Sequence, residues 1–145
     1  MENFQIREIE QSDAKAIQRI RSLISKEDAE VDSEKIINQQ TGDISKRASI
    51  VALIDNKVVG YMISNILYAG FGLRKSAWIV AMGVDPEFMG LGVGKRLANR
   101  ILEIYKSQNI NCVYSSVAWD SIDLLSFFKA LGFERSEFIN LRKKL

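Results

Sequence analysis

The sequence predicts an α/β fold, a central mixed β-sheet flanked by about four helices, within one domain over residues 1–145. Three observations carry this expectation. Segments of strand-like apolar alternation are interspersed with segments of helical periodicity. The second to fourth strands are joined by short turns and the later ones by helices, so hairpins precede crossovers and the sheet must be mixed. Hydrophobic residues make up 47% and charged residues 26% of the 145, the balance of a globular chain long enough to bury a core without staples.

The elements follow in order β α α β β β α β α β. "FQIREI" alternates apolar and polar residues and opens the sheet. Ser12 is placed to cap a helix whose apolar face is Ala16, Ile17, Ile20, Leu23 and Ile24. "SKEDAEVDSEK" is a polar connection, and a second short helix begins near Ser33 and ends at Gly42. "SIVALI" and "VVGYMISNIL" form a hairpin around Asp55, Asn56 and Lys57. "AGFGLRK" is a turn into "SAWIVAMGV", whose unbroken apolar run predicts burial on both faces. A glycine segment leads into a helix with Leu97, Ala98, Ile101, Leu102 and Tyr105 inward. "CVYSSVAW" is the next strand. Asp120 or Ser121 caps a helix carrying Leu124, Leu125, Phe128 and Leu131, which Gly132 ends in a left-handed turn, and "SEFINLRK" closes the sheet.

Composition excludes several classes. A net charge of +2 is too small to argue for nucleic acid or an anionic membrane. A lone cysteine, Cys112, fits a reducing compartment and reads as a small buried hydrophobe with no base beside it. Histidine is absent, which removes the commonest general base and, with one cysteine, makes a zinc site improbable; no metal is expected. The charged N-terminus does not resemble a signal peptide, and no run reaches the roughly 20 apolar residues of a membrane span, so a cytoplasmic location is expected.

The stretch "VDPEFMGLGVGKRL" carries the chemistry. Pro86, the only proline, fixes the chain after a buried strand, and Gly90, Gly92 and Gly94 let the backbone turn tightly with its N–H groups converging. A helix N-terminus leaves about four N–H groups unpaired and carries roughly half a positive charge. Lys95 and Arg96 stand in that first turn, where the helix dipole disfavours cations, and a bound polyanion removes the conflict. A Walker A loop needs glycine at 89 and Ser or Thr at 96, where Met89 and Arg96 stand. The dinucleotide fingerprint needs a different glycine spacing. A solvated glycine turn is the alternative without a ligand.

"IVAMGVDPEFMGLGVGKRLANRIL" resembles the acyl-CoA-binding segment of the GNAT superfamily of N-acetyltransferases, and "LLSFFKALGF" is similar to that family's closing helix; the element order matches along essentially the whole chain. The resemblance implies acetyl-CoA as cosubstrate. The backbone N–H groups of Gly90, Leu91, Gly92, Val93, Gly94 and Lys95 would hold its pyrophosphate, with Lys95 and Arg96 adding charge. Met82, Gly83 and Val84 would pair with the pantetheine arm as an added strand, and an N–H there would polarise the thioester carbonyl. Gly83 is expected to be a bulge site where strands splay apart.

The family's usual proton-handling side chains are replaced. The tyrosine that protonates the departing thiolate corresponds to Phe128, a frequent asparagine to Ser121, a strand carboxylate roughly to Ser116, and the residue opening the glycine motif to Met89. Asp120 and Tyr114 are the candidate catalytic residues in their place, Asp120 doubling as a helix cap and Tyr114 as a core residue. Tyr61 and Tyr68 are candidates for the groove wall, and Trp78 and Trp119 for core or groove wall. Catalysis resting on positioning with water as acid and base, a silent acyl-CoA-binding domain, and a nucleotide-phosphate binder stay open. The implied partner is an amine-bearing acceptor, small molecule or protein, and a homodimer is left open. Glu27, Asp28, Glu30, Asp32 and Glu34 lie in the connection that borders the acceptor groove in this family, where they would attract a cationic amine or form a solvated loop.

Overall fold

Chain alternation places the sheet, and the sheet places everything else. A computed structural model of the protein describes residues 3–25, 34, 35, 37, 48–68 and 74–145. Within the chain, Met1–Ser115 and Ser116–Leu145 form two compact units.

The first unit holds β1 (Phe4–Glu8), α1 (Ala14–Ile24), β2 (Ile50–Ile54), β3 (Lys57–Leu67), β4 (Ser76–Val84), α2 (Val93–Ser107) and β5 (Val113–Ser115). The strands form one sheet in the order β1-β2-β3-β4-β5. The first three pairings are antiparallel and β4 pairs β5 in parallel, so the sheet is mixed as expected. The β2–β3 hairpin closes on Asp55 and Asn56 alone, both at positive φ, the backbone that matches strand twist; Lys57 already opens β3.

Side-chain alternation sorts the helices to opposite faces. Val51, Leu53, Val58, Tyr61 and Ile63 pack with Ile17 and Ile20 of α1 and with Ile37. Gly60, one residue from Tyr61, faces the other way, towards Val93 and Leu97 of α2. α1 starts differently from its sequence expectation. A short 3-10 turn, Gln11–Asp13, precedes it, and Glu10 with Asp13 form the reciprocal cap in place of Ser12. Asp13 is anchored by two 2.8 Å hydrogen bonds from Arg7, whose guanidinium is held protonated by them. The apolar face also differs: Leu23 and Ile24 are exposed, while Arg21 is buried. The second helix expected from Ser33 lies mostly outside the described residues; Glu34, Lys35 and Ile37 are helical.

In the second unit, α3 (Ile122–Ala130) ends as the sequence predicts: Gly132 takes φ 89° and the Phe133 N–H donates to Phe128 O at 3.0 Å. The closing strand expected over 136–143 is not formed; residues 134–145 carry no regular structure. Strand propensity is realised only against a paired neighbour. Here Asn140 makes a side-chain bond to Ser116 Oγ at 2.9 Å, and Ile139 and Leu141 are exposed. No described helix is long and apolar enough to cross a membrane.

Candidate functional site

The site is built from the end of β4 forward. β4 and β5 pair only at Ala77–Val113, Trp78–Tyr114 and Ile79–Ser115, and Ser115 Oγ ties the last pair by donating to Ile79 O at 3.0 Å. Beyond Ile79 the β4 register against β3 slips, with Ile63 opposite Ala81 and Ser64 opposite Ile79. Val80 is therefore the extra residue of a bulge, and its side chain is 53% exposed. This corrects two expectations. The bulge is at Val80, not Gly83, and β4 is not buried on both faces. Gly83 stays in register opposite Tyr61, and a Cβ there would stand 2.9 Å from Tyr61 Cε1 and 3.0 Å from Ile24 Cδ1. Close packing, not strand irregularity, requires that glycine. Residues 80–84 thus run past β5 with an edge that has no strand partner among the described residues, a template for one more extended chain.

The turn after β4 is pinned by Asp85. Its N–H donates to Val59 O at 2.8 Å, and its carboxylate accepts from Arg19 Nη1 at 2.7 Å and from the Glu87 N–H at 3.0 Å. The carboxylate is buried, yet the Arg19 hydrogen bond holds it below the usual range. Arg19 also donates to Val58 O at 3.1 Å, so α1, β3 and the turn meet at one charge pair. Pro86–Phe88 then form a 3-10 turn, closed by the Phe88 N–H on Asp85 O at 2.8 Å.

Gly90 and Gly92 follow at φ 81° and 80°, and a Cβ on either would meet no protein atom within 4 Å. Gly94 is already in α2. The Arg96 N–H to Gly92 O bond, 3.0 Å, is the first of that helix, so the N–H groups of Val93, Gly94 and Lys95 have no intrahelical acceptor. No acid stands in this first turn. Lys95 is exposed and makes no ion pair among the described residues. Arg96 lies over the Phe4 ring at 4.3 Å, which stations its guanidinium beside the turn. Open space, unpaired donors and uncompensated positive charge together fit a polyphosphate.

The remaining candidates are placed as follows. Tyr114 stacks on Trp78 at 4.7 Å within the sheet. Asp120 belongs to the second unit, is exposed, and does not cap α3; Ser121 holds the N-cap position without a side-chain cap bond. Ser116 accepts from Asn140. Phe128 is buried, edge-on to Phe127 and Phe133. Met89 is exposed. Tyr61 is buried under Gly83, whereas Tyr68 is exposed past the end of β3, with Lys75 over its ring. Cys112 is exposed rather than buried, because β5 starts one residue later and only its carbonyl is used, accepting from the Ala77 N–H. Trp119 is 86% exposed and not a core residue. Of the acidic connection, only Glu34 lies within the described residues.

One charged residue escaped the sequence reading. Arg21 is 8% exposed, and its Nε and Nη1 have no hydrogen-bond partner among the described residues. Its signal was its position: Ile17, Ile20, Arg21 and Ile24 share the i, i+3, i+4, i+7 stripe of α1. A depression of about 230 Å³ between β1 and α2 is lined by Glu8 and by two arginines already paired elsewhere, Arg7 with Asp13 and Arg100 with Glu103.

A profile of the acetyltransferase (GNAT) family matches residues 8–133. An uncharacterized N-acetyltransferase of Methanocaldococcus jannaschii is 30% identical over 90 residues, 61% of this chain and 40% of that protein, so the match spans well under half of the relative. Among solved structures, a transcriptional regulator from Bacillus halodurans C-125 superposes with a TM-score of 0.82 at 18% identity, covering 99% of this chain and 100% of that one. An aminoglycoside N-acetyltransferase in complex with CoA gives 0.73 at 19% identity, covering 98% and 95%. These two likenesses speak for the fold; the profile, spanning both units and the whole β4–turn–α2 segment, speaks for the lineage, and by it the chain belongs to the acetyltransferase (GNAT) family.

Proposed function

We propose that this protein transfers an acetyl group from acetyl-CoA to a primary amine by direct attack, with residues 1–145 acting as one acyl-CoA-binding domain. The observation that carries the reading is the edge of β4 at 80–84, open among the described residues, running straight into a helix start where the N–H groups of Val93, Gly94 and Lys95 have no intrahelical acceptor and no acid offsets Lys95 and Arg96. The backbone of Gly90, Leu91, Gly92, Val93, Gly94 and Lys95 binds the pyrophosphate, with Lys95 and Arg96 adding charge. Met82, Gly83 and Val84 hold the pantetheine arm by strand addition. Acetyl-CoA supplies the acyl group as a thioester, and its thiolate leaves as the amide forms. A β4 N–H stabilises the negative charge that grows on the carbonyl oxygen. The proton lost by the amine and the proton gained by the thiolate must each be handled. Asp120 and Tyr114 are the candidate groups, with water and positioning supplying the rest. The single exposed thiol of Cys112 fits a reducing, cytoplasmic setting.

The test is thiol release from acetyl-CoA across a panel of amines. Amine-dependent release supports transfer. Tight CoA binding with no release from any amine favours the second reading, a silent acyl-CoA-binding domain, which the aromatic packing of Phe128 at the usual acid position motivates. Stabilisation by ATP or NAD but not by CoA would overturn both.

A further inference from the structure

α1 carries arginines at 19 and 21, and β1 one at 7. Arg7 is paired with Asp13 and Arg19 with Asp85, each at 2.7–2.8 Å. Arg21 is the most buried of them and has no such partner among the described residues. Nε carries one N–H and Nη1 two, so three donors of a permanently charged group are unused. A cation out of water needs a counter-charge or it is strongly unfavourable. The C-terminal end of α1 offers a favourable dipole, but the Arg21 carbonyl accepts from the Ser25 N–H, and a dipole does not satisfy side-chain donors.

Its place in the fold points to the ligand. Arg21 stands one helical turn, roughly 4.5 Å along the axis, before Ile24 on the same stripe. Ile24 Cδ1 is 3.0 Å from where a Cβ on Gly83 would be, on one face of the strand whose open edge is proposed above to hold the thioester arm. Arg21 therefore lies on the sheet face of Tyr61 and Gly83, in the last turn of α1.

We propose that Arg21 is the receptor for a carboxylate on the acceptor, so that the substrate class is an amine bearing a carboxylate, an amino-acid-like zwitterion. This rests on the acetyltransferase reading. One guanidinium balances one carboxylate and matches its planar geometry, whereas a phosphate dianion would keep one negative charge that a single guanidinium does not balance.

The experiment uses the full chain with acetyl-CoA, the free amino acids and their carboxamides as acceptors, and O-phosphoethanolamine as the phosphate arm. The wild-type protein is expected to turn over at least one free acid at about tenfold or higher kcat/KM than its carboxamide, and Arg21→Gln to bring that ratio near one through KM, since one charged hydrogen-bond pair is worth at least that factor. Arg21→Lys, which keeps the charge without the fork, retains part of the preference. A second arm needs no turnover. In the acceptor-free protein Arg21→Met is expected to raise Tm by about 3 °C or more, since it removes an uncompensated charge. A marked fall in Tm shows that Arg21 is already paired within the chain and overturns the proposal. Equal rates for acids and amides, a ratio unchanged in Arg21→Gln, or preference for O-phosphoethanolamine overturns it while leaving the transferase intact. No thiol release from any amine defeats the transferase reading and the proposal together.

Discussion

Gly92→Ala separates backbone strain from loss of ligand space. Gly92 sits at φ 80° and ψ 15°, and an added Cβ meets nothing within 4 Å. In the free protein the substitution therefore brings no clash. Placing an L-residue in the left-handed region costs about 1–2 kcal/mol, offset by about 0.4–1 kcal/mol from the stiffer unfolded chain. The net is about 0.5–1 kcal/mol, or about 1–4 °C in Tm for a domain of this size. The ligand-bound state differs. On the proposed reading phosphate oxygens approach the N–H groups of 92–95 on the empty side of the turn, and a methyl there displaces one or two charge-assisted bonds worth about 1.5–3 kcal/mol each. CoA affinity should fall by at least about tenfold. Gly132→Ala is the matched control, since it too has positive φ, at 89°, and nothing within 4 Å, but it caps α3. Titration calorimetry with CoA and melting curves of the three proteins decide the matter. Gly92→Ala binding CoA as tightly as wild type, or Gly132→Ala losing as much affinity, would refute the assignment of the turn.

Asp85→Asn removes the buried partner of Arg19; because Arg19 is partly exposed, the loss should be nearer 1–3 kcal/mol than that of a fully buried pair, roughly. The folded Asp85 carboxyl lies below its ordinary value, so its stabilisation is present above the unfolded pKa of about 4 and is lost as pH falls through the folded one. The Tm gap between wild type and Asp85→Asn should narrow in acid, and a gap as wide at pH 2 as at pH 7 contradicts this. Tyr105 is buried, which pushes its phenol up, and its hydroxyl has no partner of good geometry. Tyr105→Phe should leave Tm unchanged or raise it slightly, whereas a fall of several degrees would show a real bond, with Ser64 the neighbour to supply it. Asp120→Ala and Tyr114→Phe test proton transfer: if either moves protons, kcat falls by about tenfold or more and the pH–rate profile loses a limb, and an unchanged profile for both leaves the work to water.

The parts that were legible before the structure are those where backbone geometry dictates residue type. Gly90 and Gly92 announce positive φ, Gly132 announces a helix end, and Ser76–Val84 announces a strand by its apolar run. Helix and strand periods, read over long segments, placed α1, α2 and the hairpin. What was not legible depends on neighbours that no local pattern encodes. "SEFINLRK" has strand composition but pairs with no strand among the described residues. The bulge at Val80 is a register event between two strands, and a glycine three residues on was the more conspicuous candidate. Glu10 outcompetes Ser12 as cap because Asp13, held by Arg7, answers it. Arg21 was passed over because its charge outweighed its position on the apolar stripe.

That pattern also explains why the cofactor side and the acceptor side differ in how much they disclose. Most of what is proposed to hold CoA is backbone: turn N–H groups, a helix N-terminus and an open strand edge, with Lys95 and Arg96 adding charge. Such a site constrains glycines and a proline, and leaves the side chains around it free to change, so Met89 can open the motif without removing one donor. The Asp85–Arg19 pair shows what the backbone site does require, which is a fixed exit from β4. Proton transfer and acceptor choice depend instead on side chains, and those are where Ser116, Ser121 and Phe128 depart from the usual set. On the proposed reading, a chain that keeps the cradle while exchanging its proton-handling groups differs from its family in acceptor chemistry rather than in donor. On that reading a buried arginine with no partner for Nε and Nη1 among the described residues, one helical turn from the Ile24 that meets Gly83, belongs with the proposed acceptor side rather than being a flaw in the core.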